Sequence, residues 1–175
     1  LVNLSALLTN SVKLNGLYFQ KLDIPKLLTA SKYFVSVAVA KTHNLAFITG
    51  TLKNLFGLLP RKDQSFYHRH INEVIVDLNR LVKPDLCIID ARVGLEGWAG
   101  PKTRRLEFLV FGKKPVSVDA TMARIMGFNP EKIRHLVEAE KYGLGSLDPE
   151  VLGVSVESAM VKFNRPSHLS SRAPV

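Results

Sequence analysis

The chain alternates between short, continuously apolar runs and longer segments in which apolar residues recur every three or four positions. Four runs rich in β-branched and aromatic residues predict strands, at residues 33–40, 86–89, 106–111 and 151–156. Four segments with helical spacing predict amphipathic helices, at residues 45–58, 67–82, 115–126 and 129–137. Because strands and helices follow each other in turn, we expect an α/β fold with a mixed, mainly parallel sheet flanked by helices in three layers, α/β/α.

The segment before the first of these strands predicts a hairpin. Apolar residues alternate between Val12 and Ile24 on both sides of Asn15-Gly16, a dipeptide typical of tight hairpin turns. Pro25 then suits the first turn of a short helix that ends near Ala30. The hairpin and its helix precede the predicted central strand.

Residues 1–160 are predicted to form a single α/β domain, because 175 residues suffice for one hydrophobic core and show no internal repeat. Residues 161–175 contain prolines, serines and basic side chains, and predict a flexible basic tail. The chain begins at Leu1, within an apolar pattern and without a methionine. We therefore expect the domain to be the C-terminal part of a larger one.

The net charge and the cysteine content limit which kinds of ligand, partner and metal site this chain could have. The net charge of +9 suits binding of phosphorylated ligands, acidic protein partners or nucleic acid. The basic residues are dispersed, so nucleic-acid binding is the less favoured of these. Cys87 is the single cysteine, which excludes a disulfide framework and a cysteine-only iron–sulfur cluster within this chain. No apolar run reaches about 20 residues and no signal peptide is recognisable, so we expect a cytoplasmic protein without a membrane span.

A glycine-rich loop is predicted to follow the strand that ends at Asp90. It contains Glu96 among Gly94, Gly97 and Gly100. A buried strand that delivers a carboxylate into such a loop is typical of sites at the carboxyl edge of an α/β sheet. We predict Glu96, Asp90 and His43 as catalytic residues, and Gly97 and Gly100 as ligand-binding positions.

Polar residues also follow the predicted central strand, where a helix is expected to begin. Lys41, Thr42, His43 and Asn44 combine a positive charge, hydrogen-bonding groups and an imidazole at a helix N-terminus, which suits an anion. The alternative is a simple helix cap by Thr42 or Asn44, with the other two side chains in solvent.

Two further polar residues lie in the predicted helix that follows. Lys53 and Asn54 either point back to the strand ends or form the solvent face of that helix. On the first interpretation the predicted ligand-binding set comprises Lys41, Thr42, Lys53, Asn54, Gly97 and Gly100.

Three carboxylates are candidates for holding a divalent cation such as magnesium. Asp90 ends a strand, Glu96 lies in the glycine loop, and Asp119 lies in the first turns of a helix. Asp119 has an alternative role in stabilising the positive end of the helix dipole. Glu96 has no comparable structural explanation and is the strongest single candidate.

Several motifs occur together in an order that resembles one protein family, the family known as domain of unknown function 362. They are Val39-Ala40-Lys41-Thr42-His43, Leu52-Lys53-Asn54-Leu55-Phe56-Gly57, Lys83-Pro84-Asp85-Leu86, Gly94-Leu95-Glu96-Gly97 and Val118-Asp119-Ala120. The resemblance covers about residues 12–157. It implies motif positions at Lys41, His43, Lys53, Asn54, Asp90, Glu96 and Asp119, and no established reaction.

The resemblance also marks two departures. Members of the family carry an upstream Lys-Pro-Asn motif that this chain lacks. Some members are fused to ferredoxin-like iron–sulfur modules, whose cysteine clusters are absent here. An iron–sulfur cluster is therefore not expected in this chain, although the resemblance suggests an iron–sulfur partner.

The leading hypothesis is an anion- or metal-binding site at the carboxyl edge of the sheet, which an enzyme would use for acid–base chemistry. The second is a non-enzymatic module that docks an iron–sulfur or other acidic partner through its basic residues, Lys102, Arg104, Arg105, Lys113 and Lys114. The third is nucleic-acid binding through the basic surface. The sequence favours no particular oligomeric state.

Overall fold

A computed structural model of the chain describes residues 1–60, 63–97 and 102–166. The strands are β1 (Thr9–Lys13), β2 (Lys21–Pro25), β3 (Val35–His43), β4 (Phe47–Thr49), β5 (Leu86–Glu96) and β6 (Lys102–Gly112). The α-helices are α1 (Lys26–Ala30), α2 (Thr51–Asn54), α3 (Ile71–Leu81), α4 (Pro115–Ile125), α5 (Arg134–Lys141) and α6 (Val156–Ala159). Shorter 3-10 segments are Leu4–Ala6, Leu55–Leu58, Gln64–His70 and Pro130–Lys132. The α/β prediction is confirmed, and no helix of the described ranges is long and apolar enough to cross a bilayer.

The N-terminal hairpin is present as predicted. Strands β1 and β2 pair antiparallel in a small sheet of their own. The loop between them is held by Asp77 of α3, which is fully buried and accepts the backbone N–H groups of Leu17, Tyr18 and Phe19 at 2.8, 2.8 and 2.9 Å. A Cβ at Gly16 would lie 2.4 Å from an Asp77 carboxylate oxygen, so this close approach requires glycine.

The main sheet has the strand order β4-β3-β5-β6. Strands β3 and β5 are parallel, whereas β4 pairs antiparallel with β3 and β6 pairs antiparallel with β5. The mixed sheet is therefore confirmed, but it is not mainly parallel as predicted, because β3 and β5 form the one parallel pair among its three strand pairs. A short connection cannot return a strand in the parallel sense, so the strands that follow their neighbours closely run antiparallel.

Helices cover one face of the main sheet. Inward-facing residues of β3 and β5 are fully or almost fully buried: Ala38, Ala40, Cys87, Ile89 and Ala91. Helices α2 and α4 pack on this face, and α3 and α5 pack against them. The core is formed between these helices and the sheet.

The opposite face of the sheet is exposed and apolar. Val37 of β3 and Phe111 of β6 are 58% and 72% exposed, and their neighbours Val35, Val39 and Leu109 are also exposed. The described residues thus form two layers rather than the predicted three. The reason is topological: one parallel pair needs one helical crossover, and α4 and α5 return to the face that this crossover already covers.

Two local predictions were wrong because pairing in the folded chain overrode the pattern. The strand ending at Asp90 continues to Glu96, since β6 pairs with it along this stretch, so Gly94 and Glu96 lie in β5 rather than in a loop. The predicted helix 45–58 begins only at Thr51, because Phe47–Thr49 pairs with the end of β3.

The C-terminal part also differs from prediction. Residues 151–155 form no strand, and Gly153 has a φ of +92° that interrupts extended backbone there. Val161 and Phe163 donate backbone hydrogen bonds to Ile125 and Met126 at 2.8 and 3.0 Å, and Phe163 is buried. The start of the predicted flexible tail is therefore packed against the end of α4, while residues 167–175 lie outside the described residues.

Two phenylalanines test the two-layer arrangement. We expect Phe111→Ala to cost less than about 1 kcal/mol of unfolding free energy, because its ring is largely exposed already. Phe56→Ala, which removes a ring that is 3% exposed, should cost about 3–5 kcal/mol. Urea unfolding of both variants measures this, and equal losses would mean that the outer face is covered in solution.

Candidate functional site

The alternation of side chains along the end of β3 divides the predicted polar segment into two groups. Thr42 and Asn44 line an open cleft of about 260 Å³, which we call the carboxyl-edge cleft. Its other lining residues are Glu96, Gly97, Lys102, Asn164, Arg165 and Pro166. Lys41 and His43 do not line it, since neighbouring residues of a strand face opposite sides. The cleft therefore joins Thr42, Glu96 and Gly97 of the predicted set, while Gly100 lies outside the described residues.

Glu96 is buried in the wall of this cleft. Oε1 accepts from the Arg104 Nε at 3.1 Å and the Asn164 backbone N–H at 2.8 Å, and Oε2 accepts from the Asn164 side chain at 3.0 Å. Burial raises the pKa of the carboxyl, but the hydrogen bonds from Asn164 and Arg104 outweigh it and the pKa is lowered. Glu96 is thus an ionised carboxylate whose oxygens already hold Arg104 and the 161–166 segment in place.

Two glycines shape the same wall. Gly97 has a φ of +87°, and its N–H donates to the Thr42 hydroxyl at 2.8 Å, which links the ends of β3 and β5. A Cβ at Gly94 would lie 2.6 Å from the Phe163 ring, so glycine is needed there for close packing. Gly94 therefore serves the packing of the cleft wall, whereas Gly97 supplies the left-handed backbone at the end of β5.

Lys41 and Lys53 place two positive charges near His43, beside the cleft. Burial, followed by the charges of Lys53 and Lys41, lowers the pKa of His43 to about 3. Burial and the charge of Lys41 also lower the pKa of Lys53. The His43 Nδ1 accepts the backbone N–H groups of Leu45 and Ala46 at 3.2 and 3.1 Å. His43 is therefore a neutral imidazole that shapes the β3–β4 turn.

Two other predicted residues lie elsewhere. The Asn54 side chain donates to the Ser36 hydroxyl and the Val37 carbonyl at 3.2 and 3.1 Å, and so ties α2 to β3. Asp90 lies on the outer face of the sheet, where Arg92 holds it at 2.7 Å. This pairing lowers the pKa of Asp90 to about 2. Neither residue contributes to the carboxyl-edge cleft.

Asp119 holds the start of α2. It is fully buried and accepts from the Thr51 N–H and hydroxyl, both at 2.7 Å, and from the Leu52 N–H at 3.0 Å. Burial raises the pKa of Asp119 to about 6, against the lowering effect of these hydrogen bonds. Two of the three donors, the N–H groups of Thr51 and Leu52, are among those that a helix N-terminus leaves unpaired, so Asp119 caps α2 from a neighbouring helix.

The structure does not bring the three predicted metal ligands together. Asp90 faces the exposed side of the sheet, Asp119 is buried on the helical side, and Glu96 is held by Arg104 and Asn164. Within residues 1–60, 63–97 and 102–166, no group of three or more His, Cys, Asp or Glu side chains could hold a metal ion. A register shift in β5 between Ala91 and Val93 interrupts the alternation of its side chains, so Asp90 does not share its surroundings with Glu96, and the predicted metal set of Asp90, Glu96 and Asp119 is not assembled among the described residues.

His135 was not predicted from the sequence. It is fully buried on α5, and neither ring nitrogen has a hydrogen-bond partner. Burial, with smaller effects of the Lys53 and His43 charges, lowers its pKa to about 3. The only sequence signal was its place beside Leu136 on the inner side of a helix. Such an unpaired buried group costs free energy and is unusual.

The chain belongs to the family described as domain of unknown function (DUF362), whose model matches residues 1–124. The predicted family resemblance is therefore confirmed. The chain is also similar to a thylakoid-associated protein of Synechocystis sp., with 24% identity over 143 residues. That alignment covers 76% of this chain and 44% of the relative, so the chain spans less than half of the relative's length. No solved structure shows significant similarity to the chain.

The Asp119 cap can be tested through Gly50, which has extended backbone. In Gly50→Ala the new Cβ would lie 2.6 Å from the Asp119 carboxylate and displace it, so we expect a loss of about 1–3 kcal/mol of unfolding free energy. Gly57→Ala is the matched control, because its Cβ would meet nothing within 4 Å. Guanidinium unfolding at pH 7 compares the two, and equal stabilities would disprove the close contact.

Acid should destabilise the protein through His135. Its pKa is about 3 in the folded chain and 6.5 when unfolded, so protons favour the unfolded state as the pH falls through 6.5. We expect this residue to account for about 2 kcal/mol of the stability lost between pH 7 and pH 5. His135→Leu should keep or raise the stability at pH 7 and remove that share of the loss. An unchanged pH dependence of urea unfolding would contradict the assignment.

Proposed function

We propose that the carboxyl-edge cleft binds a small anionic ligand. Lys102 and Arg165 bring two positive charges to its lining. Glu96 is the one carboxylate among the lining residues in the described chain, and Arg104 and Asn164 already occupy its oxygens. The observation that carries the proposal is this excess of positive charge over accessible negative charge in a concave site.

Neutral donors in the cleft suit the same ligand. The Thr42 oxygen accepts from Gly97, which leaves its hydroxyl hydrogen able to donate. The Asn44 side chain adds an amide on the same wall. Arg165 also lies 5.7 Å from the centre of the Phe47 ring, a cation–π contact that restrains the guanidinium near the cleft. These groups would orient a bound anion, while the positive charges of the cleft would provide most of the affinity.

Lys41 and Lys53 support the proposal from the neighbouring side of β3. Their charges lower the pKa of His43, and the charge of Lys41 also lowers the pKa of Lys53. No carboxylate contributes to either of these two pKa shifts. The ion pairs of the described residues include neither lysine. A positive potential that is not neutralised locally favours an anion in the adjacent cleft.

The geometry favours binding over acid–base catalysis. Glu96 has its oxygens occupied, and His43 accepts two backbone hydrogen bonds at Nδ1 with a pKa of about 3. A general base near neutral pH needs a pKa closer to 7 and a free lone pair. We therefore assign Glu96 a positioning role, in which it holds Arg104 and Asn164 at the cleft.

The other two functions predicted from the sequence stay separate proposals. The five basic residues of the partner-docking hypothesis lie at both ends of β6, with Lys102 and Lys113 roughly 35 Å apart along an extended strand. An acidic partner or a nucleic acid would need to reach along the whole strand to contact both ends. The compact cleft is the simpler recognition site.

The cleft is tested with Lys102→Met and Arg165→Met combined, which remove both charges and keep apolar stems. Binding of inorganic phosphate and pyrophosphate is followed through the backbone amide NMR signals of Asn44 and Gly97. We expect the double variant to bind at least tenfold more weakly than the wild type, since each tenfold step is about 1.4 kcal/mol. The matched control is Lys132→Met with Arg69→Met, which makes the same charge change at exposed sites away from the cleft.

Glu96→Gln separates positioning from direct contact. If Glu96 only holds Arg104 and Asn164, this variant should lose stability and anion affinity together.

The anion-binding proposal itself depends on the two double variants. Full affinity of the Lys102→Met, Arg165→Met variant, or an equal loss in the Lys132→Met, Arg69→Met control, would overturn it.

A further inference from the structure

A second concave site lies at the opposite edge of the sheet. It is formed by Lys83 and Pro84 before β5, by residues 113–115 between β6 and α4, and by residues 142–144 after α5. Its volume is about 120 Å³. We call it the lysine cleft, because Lys83, Lys113 and Lys114 are three of its eight lining residues.

The lysine cleft gathers positive charge without a carboxylate in its lining. The three lysines are exposed, and the ion pairs of the described ranges include none of them. The Arg80 guanidinium lies 4.2 Å from the centre of the Tyr142 ring, which also lines the cleft. The three lysines line one small cleft, so their like charges repel one another, and an anion bound in the cleft would reduce that repulsion.

The walls of the lysine cleft are fixed by backbone contacts. The Val116 N–H donates to the Leu144 carbonyl at 3.1 Å, and the Ser146 N–H donates to the Ser117 hydroxyl at 3.0 Å. Gly145 has a φ of +136°, and a Cβ there would lie 2.9 Å from the Ser117 backbone nitrogen. Hydrogen bonds and close packing thus hold the loop after α5 against the start of α4, next to Lys113 and Lys114.

The size of the cleft selects the kind of ligand. At about 120 Å³ the lysine cleft is small and suits a compact anion. Sites for larger organic ligands are roughly 300–1,000 Å³. Lysine ammonium groups act as compact point charges that suit phosphate oxygens. We propose that the lysine cleft binds a phosphoryl group, carried by a soluble phosphate ester or by a lipid headgroup.

This site is independent of the carboxyl-edge cleft, and its test is designed to be so. The variant Lys83→Met, Lys113→Met, Lys114→Met is titrated with inorganic phosphate while the amide NMR signals of Gly143 and Gly145 are followed. In the wild type these signals should shift with saturation, and in the triple variant the affinity should fall at least tenfold. The Lys102→Met, Arg165→Met variant should leave the Gly143 and Gly145 response unchanged.

The matched control is Lys21→Met, Lys26→Met, Lys132→Met, which removes the same net charge at exposed positions outside the cleft. It should bind phosphate at Gly143 and Gly145 as the wild type does. A triple lysine-cleft variant that still binds with wild-type affinity would overturn the proposal. So would a control that loses binding equally, because general charge would then explain the effect.

Sedimentation with vesicles distinguishes the two sources of the phosphoryl group. Phosphatidylcholine vesicles containing phosphatidic acid are compared with vesicles of equal charge that contain oleic acid instead. Binding to the first alone, lost in the triple variant, identifies a lipid headgroup, and no binding to either leaves the soluble phosphate seen by NMR. Equal binding to both vesicle types through these lysines would overturn recognition of a phosphoryl group.

Discussion

The carboxylate of Asp119 connects the two parts of the fold on which the site depends. A charge buried in the core is tolerated only when donors surround it, and here the donors are the Thr51 hydroxyl and the N–H groups that open α2. The contact fixes α4, which follows the last strand, against the helix that follows β4. It also leaves no space for a side chain at Gly50.

Two other carboxylates join distant segments of the chain in the same way. Asp77 holds the loop of the N-terminal hairpin through three backbone N–H groups, and Glu96 holds the 161–166 segment through Asn164. In each case a carboxylate from regular structure satisfies main-chain donors of an irregular segment far away in sequence. Of these three acids only Glu96 lines one of the two clefts, and its oxygens already accept hydrogen bonds from Arg104 and Asn164.

The strand order also determines which surfaces of the sheet are covered and where the two clefts lie. A single parallel pair places α2, α3, α4 and α5 on one side of the main sheet, so its other face stays apolar and exposed among the described residues. The two clefts lie instead at the ends of the strands, where the chain passes between strands and helices. The carboxyl-edge cleft and the lysine cleft lie at opposite ends of β5 and β6. Five of the 24 basic residues line these two clefts: Lys83, Lys102, Lys113, Lys114 and Arg165.

The sequence by itself determined the elements with strong local signals. Apolar runs located β3, β5 and β6, helical spacing located α3 and α4, and the ordered motifs identified the family. These features depend on neighbouring residues, so a pattern within one segment suffices. The segment Lys41–Asn44 lies at the end of the central strand, but Lys41–His43 belong to β3 and the next element is β4 rather than the predicted helix.

Only the tertiary structure decided which polar residues meet. Period-two alternation separated Thr42 from Lys41 and His43, and put Asp90 on the outer face, yet no local pattern shows which face a strand buries. Pairing with β6 turned the expected glycine loop into strand, and the long-range bonds of Glu96 with Asn164 gave it a structural role. The lysine cleft and buried His135 were invisible for the same reason. Their surroundings come from segments distant in sequence, and contacts of that kind are set by the packing of the whole chain.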